Sequence, residues 1–252
     1  MTFDVSADAY ADFMGRYAEP LAVQFAEFAD VRPGQRALDV GCGPGALTAQ
    51  LVGRLGPDAV TAIDPSDSFV AAARARFPEV DVQAGVAEHL PFPDDSFDVA
   101  LAQLVVHFMA EPVSGLAEMR RVTRPGGRVA ACVWDHSGDA GPLSLFWRAV
   151  HDLDPQPQGE AGLAGAREGH LAELSEAAGL SDIESMTLTV RVSFSSFAQW
   201  WEPFTRGVGP AGAYVARLDP ARRELVRDRC AELQPPAPFE ISASAWCVKA
   251  RV

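Results

Sequence analysis

The run Ala37-Leu38-Asp39-Val40-Gly41-Cys42-Gly43-Pro44-Gly45-Ala46-Leu47-Thr48 decides how the rest of the chain is read. A short apolar stretch closes on an acid, glycine recurs at positions 41, 43 and 45, and a segment with helical spacing follows. This is a strand, a tight turn and a helix start. Glycine suits such a turn because it reaches unusual φ/ψ values and lets a ligand approach bare backbone. The free N–H groups of the following helix attract a negative or polar ligand group. Cys42 lies inside the turn; without an evident base partner it reads as a small filling residue rather than a nucleophile.

Working outward, apolar residues at Leu47, Leu51, Val52 and Leu55 make a helical stripe that Gly56-Pro57-Asp58 stops. Ala59–Ile63 reads as a buried strand ending at Asp64, and Pro65-Ser66 opens a helix to about Phe77. Val80–Ala84 and Phe97–Ala102 are the next strands. Val113–Val122 is helical, Arg124–Gly127 is a turn, and Arg128–Trp134 is a fifth strand. Strands alternating with helices predict a doubly wound, parallel α/β sheet. Ligands of such sheets bind beyond the carboxyl ends of the strands, so Asp39 to Gly41, Asp64 and Gln103 are expected to share one crevice. After Asp135 the rhythm changes. Residues 136–162 are rich in Gly, Pro and Asp, with an aromatic patch at Phe146-Trp147. A helix (His170–Ala178), a strand (Met186–Val192), interrupted helices (Ser195–Leu233) and a last strand (Phe239–Val248) follow.

The chain has 252 residues and a formal net charge of −13. That charge repels a phosphate backbone and argues against nucleic acid as partner. No apolar run reaches the roughly 18–20 residues of a membrane span. Met1 to Asp8 has acids and no basic or apolar leader pattern, so it does not read as a secretory signal. Cys42, Cys132, Cys230 and Cys247 have neither metal-ligand spacing nor the density of a disulfide scaffold. Reduced thiols, no metal and a cytoplasmic location are expected.

Four pieces, in order, resemble the class I S-adenosylmethionine-dependent methyltransferases, especially the small-molecule branch with the quinone-biosynthesis enzymes. They are Leu38–Gly45, Ile63–Ser66, Ala87–Asp98 and Glu118–Gly127, and the match is dense over residues 34 to 134. The resemblance implies a Rossmann-like sheet of seven strands, mostly parallel, with an antiparallel last strand and a helical cap. It divides the chain into a helical cover (1–33), a cofactor-binding core (34–135), a variable connector (136–194), a cap insertion (195–238) and a last strand (239–252). The implied activity is direct in-line transfer of a methyl group from S-adenosylmethionine to a small apolar or aromatic molecule, by a monomer or homodimer.

The same resemblance distributes roles. Gly41, Gly43 and Gly45 take the methionine portion of the cofactor. Asp39 either takes its amino group, directly or through water, or orders the turn through backbone N–H groups. Asp64 accepts both ribose hydroxyls beside Pro65 and Ser66, or else caps the helix they open. Family members often have Asp where this chain has Val86, so adenine would rest on the backbone of Val86 and Ala87 and on Pro65. The main-chain carbonyl of Gln103 faces the cofactor amino group. A helix near Tyr10–Tyr17 folds over the cofactor, with Arg16 pairing with its carboxylate. Phe13, Tyr17, Trp134, Trp200 and Trp201 are candidates for the substrate wall, with Phe146, Trp147 and Phe204 in the same aromatic cover, although Trp134, Phe146, Trp147, Trp200, Trp201 and Phe204 would equally fill a core–cap interface. Adjacent Trp200 and Trp201 diverge by about 100° on a helix and cannot face one pocket together. His107 is the candidate base, with His136 a second.

Two other function classes share these features. Gly41-x-Gly43-x-x-Ala46 also satisfies the loose dinucleotide pattern of nicotinamide oxidoreductases, although no hydride-transfer Tyr/Lys pair is evident. A catalytically silent S-adenosylmethionine-binding regulator would keep the turn and Asp64 while tolerating Val86.

Overall fold

The computed structural model describes residues 7–157 and 159–252. A helix α1 (Ala7–Tyr10), a π-helical turn (Ala11–Gly15) and α2 (Arg16–Phe28) precede the sheet. The core then alternates β1 (Ala37–Val40), α3 (Ala46–Leu55), β2 (Val60–Asp64), α4 (Asp67–Arg76), β3 (Asp81–Ala84), β4 (Phe97–Gln103), α5 (Pro112–Val122) and β5 (Thr123–Trp134). The remainder is α6 (Ser144–Leu153), α7 (His170–Ala177), β6 (Ser181–Phe194), α8 (Phe197–Trp201), α9 (Gly209–Arg217), α10 (Pro220–Leu233) and β7 (Phe239–Arg251). Local chemistry sets several helix starts. Ser66, Ser196 and Asp219 each accept a backbone N–H at the N-caps of α4, α8 and α10.

The seven strands form one sheet in the order β3-β2-β1-β4-β5-β7-β6. β1 to β5 pair in parallel, and β7 alone runs antiparallel to both its neighbours. This is the doubly wound, Rossmann-like sheet with a reversed last strand. Because successive strand residues face opposite sides, two cores result. Leu38, Val40, Ala100, Ala102 and Val129 pack against Leu116 and Met119 of α5 and Leu171 of α7. Ala37, Val99, Leu101 and Ala130 pack against Leu21 and Phe25 of α2 and Leu47 and Leu51 of α3.

Three details differ from the sequence reading. The register jumps from Phe97↔Thr123 to Val99↔Arg128, so the Arg124–Gly127 turn is a bulge inside β5 rather than a boundary before it. Residues 136–162, read as irregular, contain α6, whose Phe146, Ala149 and Val150 are fully buried. β6 extends well beyond Met186–Val192 at both ends because β7 pairs with it from Ser181 to Phe194.

Candidate functional site

The parallel strands bring Asp39, Asp64 and Gln103 to one edge of the sheet. Asp39 is buried, and its Oδ2 accepts the Thr48 hydroxyl at 2.6 Å. Asp64 is buried at the end of β2. Its Oδ2 accepts the Gly43 N–H and its Oδ1 the Ser66 N–H, both at 2.8 Å. The carboxylate thus ties the glycine turn to the loop opening α4, and Ser66 rather than Asp64 is the N-cap. Burial pushes the Asp39 carboxyl up to about 7, despite the Thr48 bond, and Asp64 adds to the rise. Asp64 is itself raised, chiefly by burial. Neither acid has a cation partner among the described residues.

The glycines of the turn differ in what surrounds them. At Gly41 (φ +70°) an added Cβ would lie 2.3 Å from a Val105 methyl carbon, so the β1 and β4 loops touch through bare backbone. At Gly43 (φ +53°) it would meet nothing within 4 Å. Gly45 caps α3 in a left-handed conformation. Cys42 is buried with its thiol pushed well up by burial and by the two acids, which leaves it unreactive. Across the crevice Pro65 is exposed, Val86 is 45% exposed and Ala87 is buried. Val86 is an apolar rim that lacks a ligand-facing acid.

These residues fit a cofactor with a cationic end, a sugar diol and a flat ring: two buried acids without a cation partner among the described residues, an open glycine and an apolar rim. The N-terminal segment covers the same edge. Tyr10, which had no assigned role, meets Phe69 edge-on at 5.3 Å. Burial and then the Asp64 charge push its hydroxyl up to about 12. Gln103 Nε2 donates to the Ala18 carbonyl at 3.0 Å, so this side chain ties β4 to α2, while its Oε1 is buried without a partner.

Tyr10 also lines a cavity under the N-terminal segment. Tyr10, Phe13, Leu104 and Trp134 supply apolar walls, and Leu104 holds a positive φ of 62° at the end of β4. Besides Tyr10, three titratable side chains line it: His107, His136 and Glu160. The two imidazoles stand 5.9 Å apart between ring centroids, and His107 Nδ1 and His136 Nε2 are buried without hydrogen-bond partners. Burial, and then the neighbouring His136, hold His107 well below the usual histidine range. Burial alone holds His136 near about 4.

The other sequence candidates lie elsewhere. Arg16, Tyr17 and Trp200 line a second cavity that shares Phe13 and Leu143 with the first. No glycine-turn residue lines it, and the Arg16 guanidinium sits 5.7 Å from the centre of the Phe194 ring. Burial raises the Tyr17 hydroxyl, and Arg16 and then Trp200 offset part of that rise. Trp201 lines neither cavity and stacks on Phe197 and Phe204. Both tryptophans are buried because α8 is wedged among aromatic rings, and their divergence sends only Trp200 toward a cavity. Phe146 and Phe204 stack at 4.7 Å as core. Glu160 and Tyr10 went unassigned because nothing near them in sequence marks a cavity that distant segments build.

Residues 38–131 match the family model described as a methyltransferase domain. The chain is 35% identical over 122 residues to a demethylmenaquinone methyltransferase of Paenarthrobacter aurescens, covering 48% of this chain and 46% of that protein. It is 39% identical over 127 residues to a ubiquinone/menaquinone biosynthesis C-methyltransferase of Burkholderia cenocepacia, covering 47% and 52%. The chain thus spans about half the length, or less, of the curated relatives it matches. A solved phosphoethanolamine N-methyltransferase 2 of Haemonchus contortus, in complex with S-adenosyl-L-methionine, superposes with TM-score 0.58 at 18% identity. That match covers 98% of this chain and 60% of the other, and shows a shared fold.

Proposed function

We propose that this chain, whose residues 38–131 match the methyltransferase-domain model, is a class I S-adenosylmethionine-dependent enzyme that methylates a small apolar or aromatic molecule in the cavity lined by Tyr10, Phe13 and Trp134. One observation carries the reading: buried Asp64, without a cation, holds the N–H of the open Gly43, and Tyr10, which feels the Asp64 charge, also lines an apolar cavity where His107 Nδ1 has no partner. S-adenosylmethionine supplies an already activated methyl group on a sulfonium. The chain's own residues then have three tasks. Asp39 and Asp64 provide negative charge for the cofactor's ammonium, and Asp64 provides acceptors for its hydroxyls. Tyr10, Phe13 and Trp134 exclude water and align the acceptor molecule. His107, kept uncharged, takes a proton from an acceptor that arrives protonated. Residues 34–135 serve as the cofactor core and 195–238 as the cap that closes the cavity.

Calorimetric titration with S-adenosylhomocysteine and with NADH tests the cofactor assignment, the first binding and the second not. Labelled-methyl transfer to a panel of phenols, quinones and polyketide or terpenoid metabolites tests turnover. With a substrate in hand, His107→Gln lowers kcat by about 10²–10⁴ and leaves S-adenosylhomocysteine affinity unchanged. Full activity in that variant removes His107 as base.

A further inference from the structure

The cavity contains an acid that methyl transfer leaves unused. Glu160 sits between α6 and α7, is 4% exposed and lines the cavity with the two imidazoles. Its Oε2 accepts the Trp147 indole N–H at 2.8 Å, and no Lys or Arg among the described residues pairs with it. A buried carboxyl without a cation is costly and survives where further donors reach it. Burial pushes this one up to about 7, only partly offset by the Trp147 bond. Anchoring Trp147 needs one oxygen, which a glutamine carbonyl would supply equally well. The second oxygen is the part the fold does not explain.

We propose that Glu160 is a specificity-determining residue of the acceptor site, selecting neutral apolar molecules that carry a hydrogen-bond donor. This rests on reading the cavity as the acceptor site. The ligand is neutral because the cavity keeps both imidazoles uncharged by excluding water, and the same exclusion opposes an ammonium. An anion would face the Glu160 carboxylate. An apolar ring body suits the walls of Tyr10, Phe13 and Trp134. A donor on that body satisfies the free acceptor capacity of Glu160 without displacing Trp147.

Indole and 1-methylindole form a suitable probe pair, because they share a ring body and differ in one N–H that donates and does not accept. Their affinities are measured by titration of the full chain saturated with S-adenosylhomocysteine. The expected result is a preference for indole of about tenfold in the wild-type protein. Glu160→Gln keeps the Trp147 anchor but turns a donor toward the cavity, so the preference falls below threefold. Glu160→Met, a second variant without any acceptor, does the same. A purely structural Glu160 would move both probes together and leave their ratio intact. The proposal is overturned if wild-type protein does not prefer indole, or if the preference survives in both variants. Failure to bind S-adenosylhomocysteine at all strikes instead at the methyltransferase reading, and is scored separately from the probe ratio.

Discussion

Asp64→Asn separates the two tasks of the acid at the end of β2. In the folded chain its oxygens each accept one backbone N–H, from Gly43 and Ser66, at 2.8 Å. Asparagine keeps the shape but replaces one acceptor with an NH₂. Either the Gly43 or the Ser66 N–H then faces a donor and loses its partner, which costs about 1–3 kcal/mol. The substitution also removes a like charge that raises the Asp39 carboxyl, which offsets part of that cost. Net stability therefore falls by less than about 3 kcal/mol. Cofactor binding has no such offset. A ribose diol loses one charge-assisted acceptor, and the ammonium loses one of two buried negative charges. At about 1.5–3 kcal/mol for a hydrogen bond to a charged group, with the lost charge added, affinity falls by about 2–4 kcal/mol. That is about 30- to 1,000-fold in Kd. Calorimetry with S-adenosylhomocysteine reads the affinity, and thermal melting reads the fold. A well-folded variant whose Kd lies within threefold of wild type would refute the placement of Asp64 at the ribose.

The remaining predictions use the same edge of the sheet and the cap. Gly43→Ala meets open space, so it costs only the about 1–2 kcal/mol of a left-handed non-glycine residue while sharply weakening S-adenosylhomocysteine binding. Gly41→Ala drives a Cβ to 2.3 Å from Val105, and overpacking adds about 1–3 kcal/mol, so it mainly lowers the melting temperature. Asp39, pushed up to about 7, holds a proton in the folded chain that the unfolded chain has already lost above its ordinary range. Its contribution therefore favours folding at pH 5 and is lost as pH rises through 7, on the order of 2–4 kcal/mol. Glu160 acts in the same direction, while His107 and His136, held low, oppose it below pH 6.5. The stability difference between wild type and Asp39→Asn isolates the term, and it should shift in favour of the variant between pH 5 and pH 8; a flat difference contradicts the assignment. Trp201→Ala removes a stacked core ring and lowers stability by about 3–5 kcal/mol, leaving the activity of the folded fraction intact.

The core was legible because its signals are local. Leu38 to Gly45 carries a strand, a turn and a helix start in eight residues, and Asp64 and Gln103 sit where strands of a parallel sheet must end. Most of what failed to show depends on partners distant in sequence. α6 carries Leu145, Phe146, Ala149, Val150 and Leu153 at helical spacing, but the glycines, prolines and aspartates on either side mask that stripe. Arg124–Gly127 reads as a turn by composition, and only the pairing of Thr123 with Phe97 draws it into β5. Trp200 and Trp201 are indistinguishable by composition, and the packing of α8 decides which one reaches a cavity. Glu160 is one acid among many until the fold buries it beside two histidines.

The reversal of β7 has a practical consequence for measuring any of this. Because β7 runs against β5, Arg251 lies beside Arg128, and the Val252 N–H donates to the Gly127 carbonyl. Residue 252 therefore sits where β5 begins, at the amino edge of the parallel strands, opposite the edge that carries Asp39, Asp64 and both imidazoles. Anything joined after Val252 leaves on the far side of the sheet from the crevice. Surface immobilisation or a fluorophore attached there leaves the acids and the cavity facing solution.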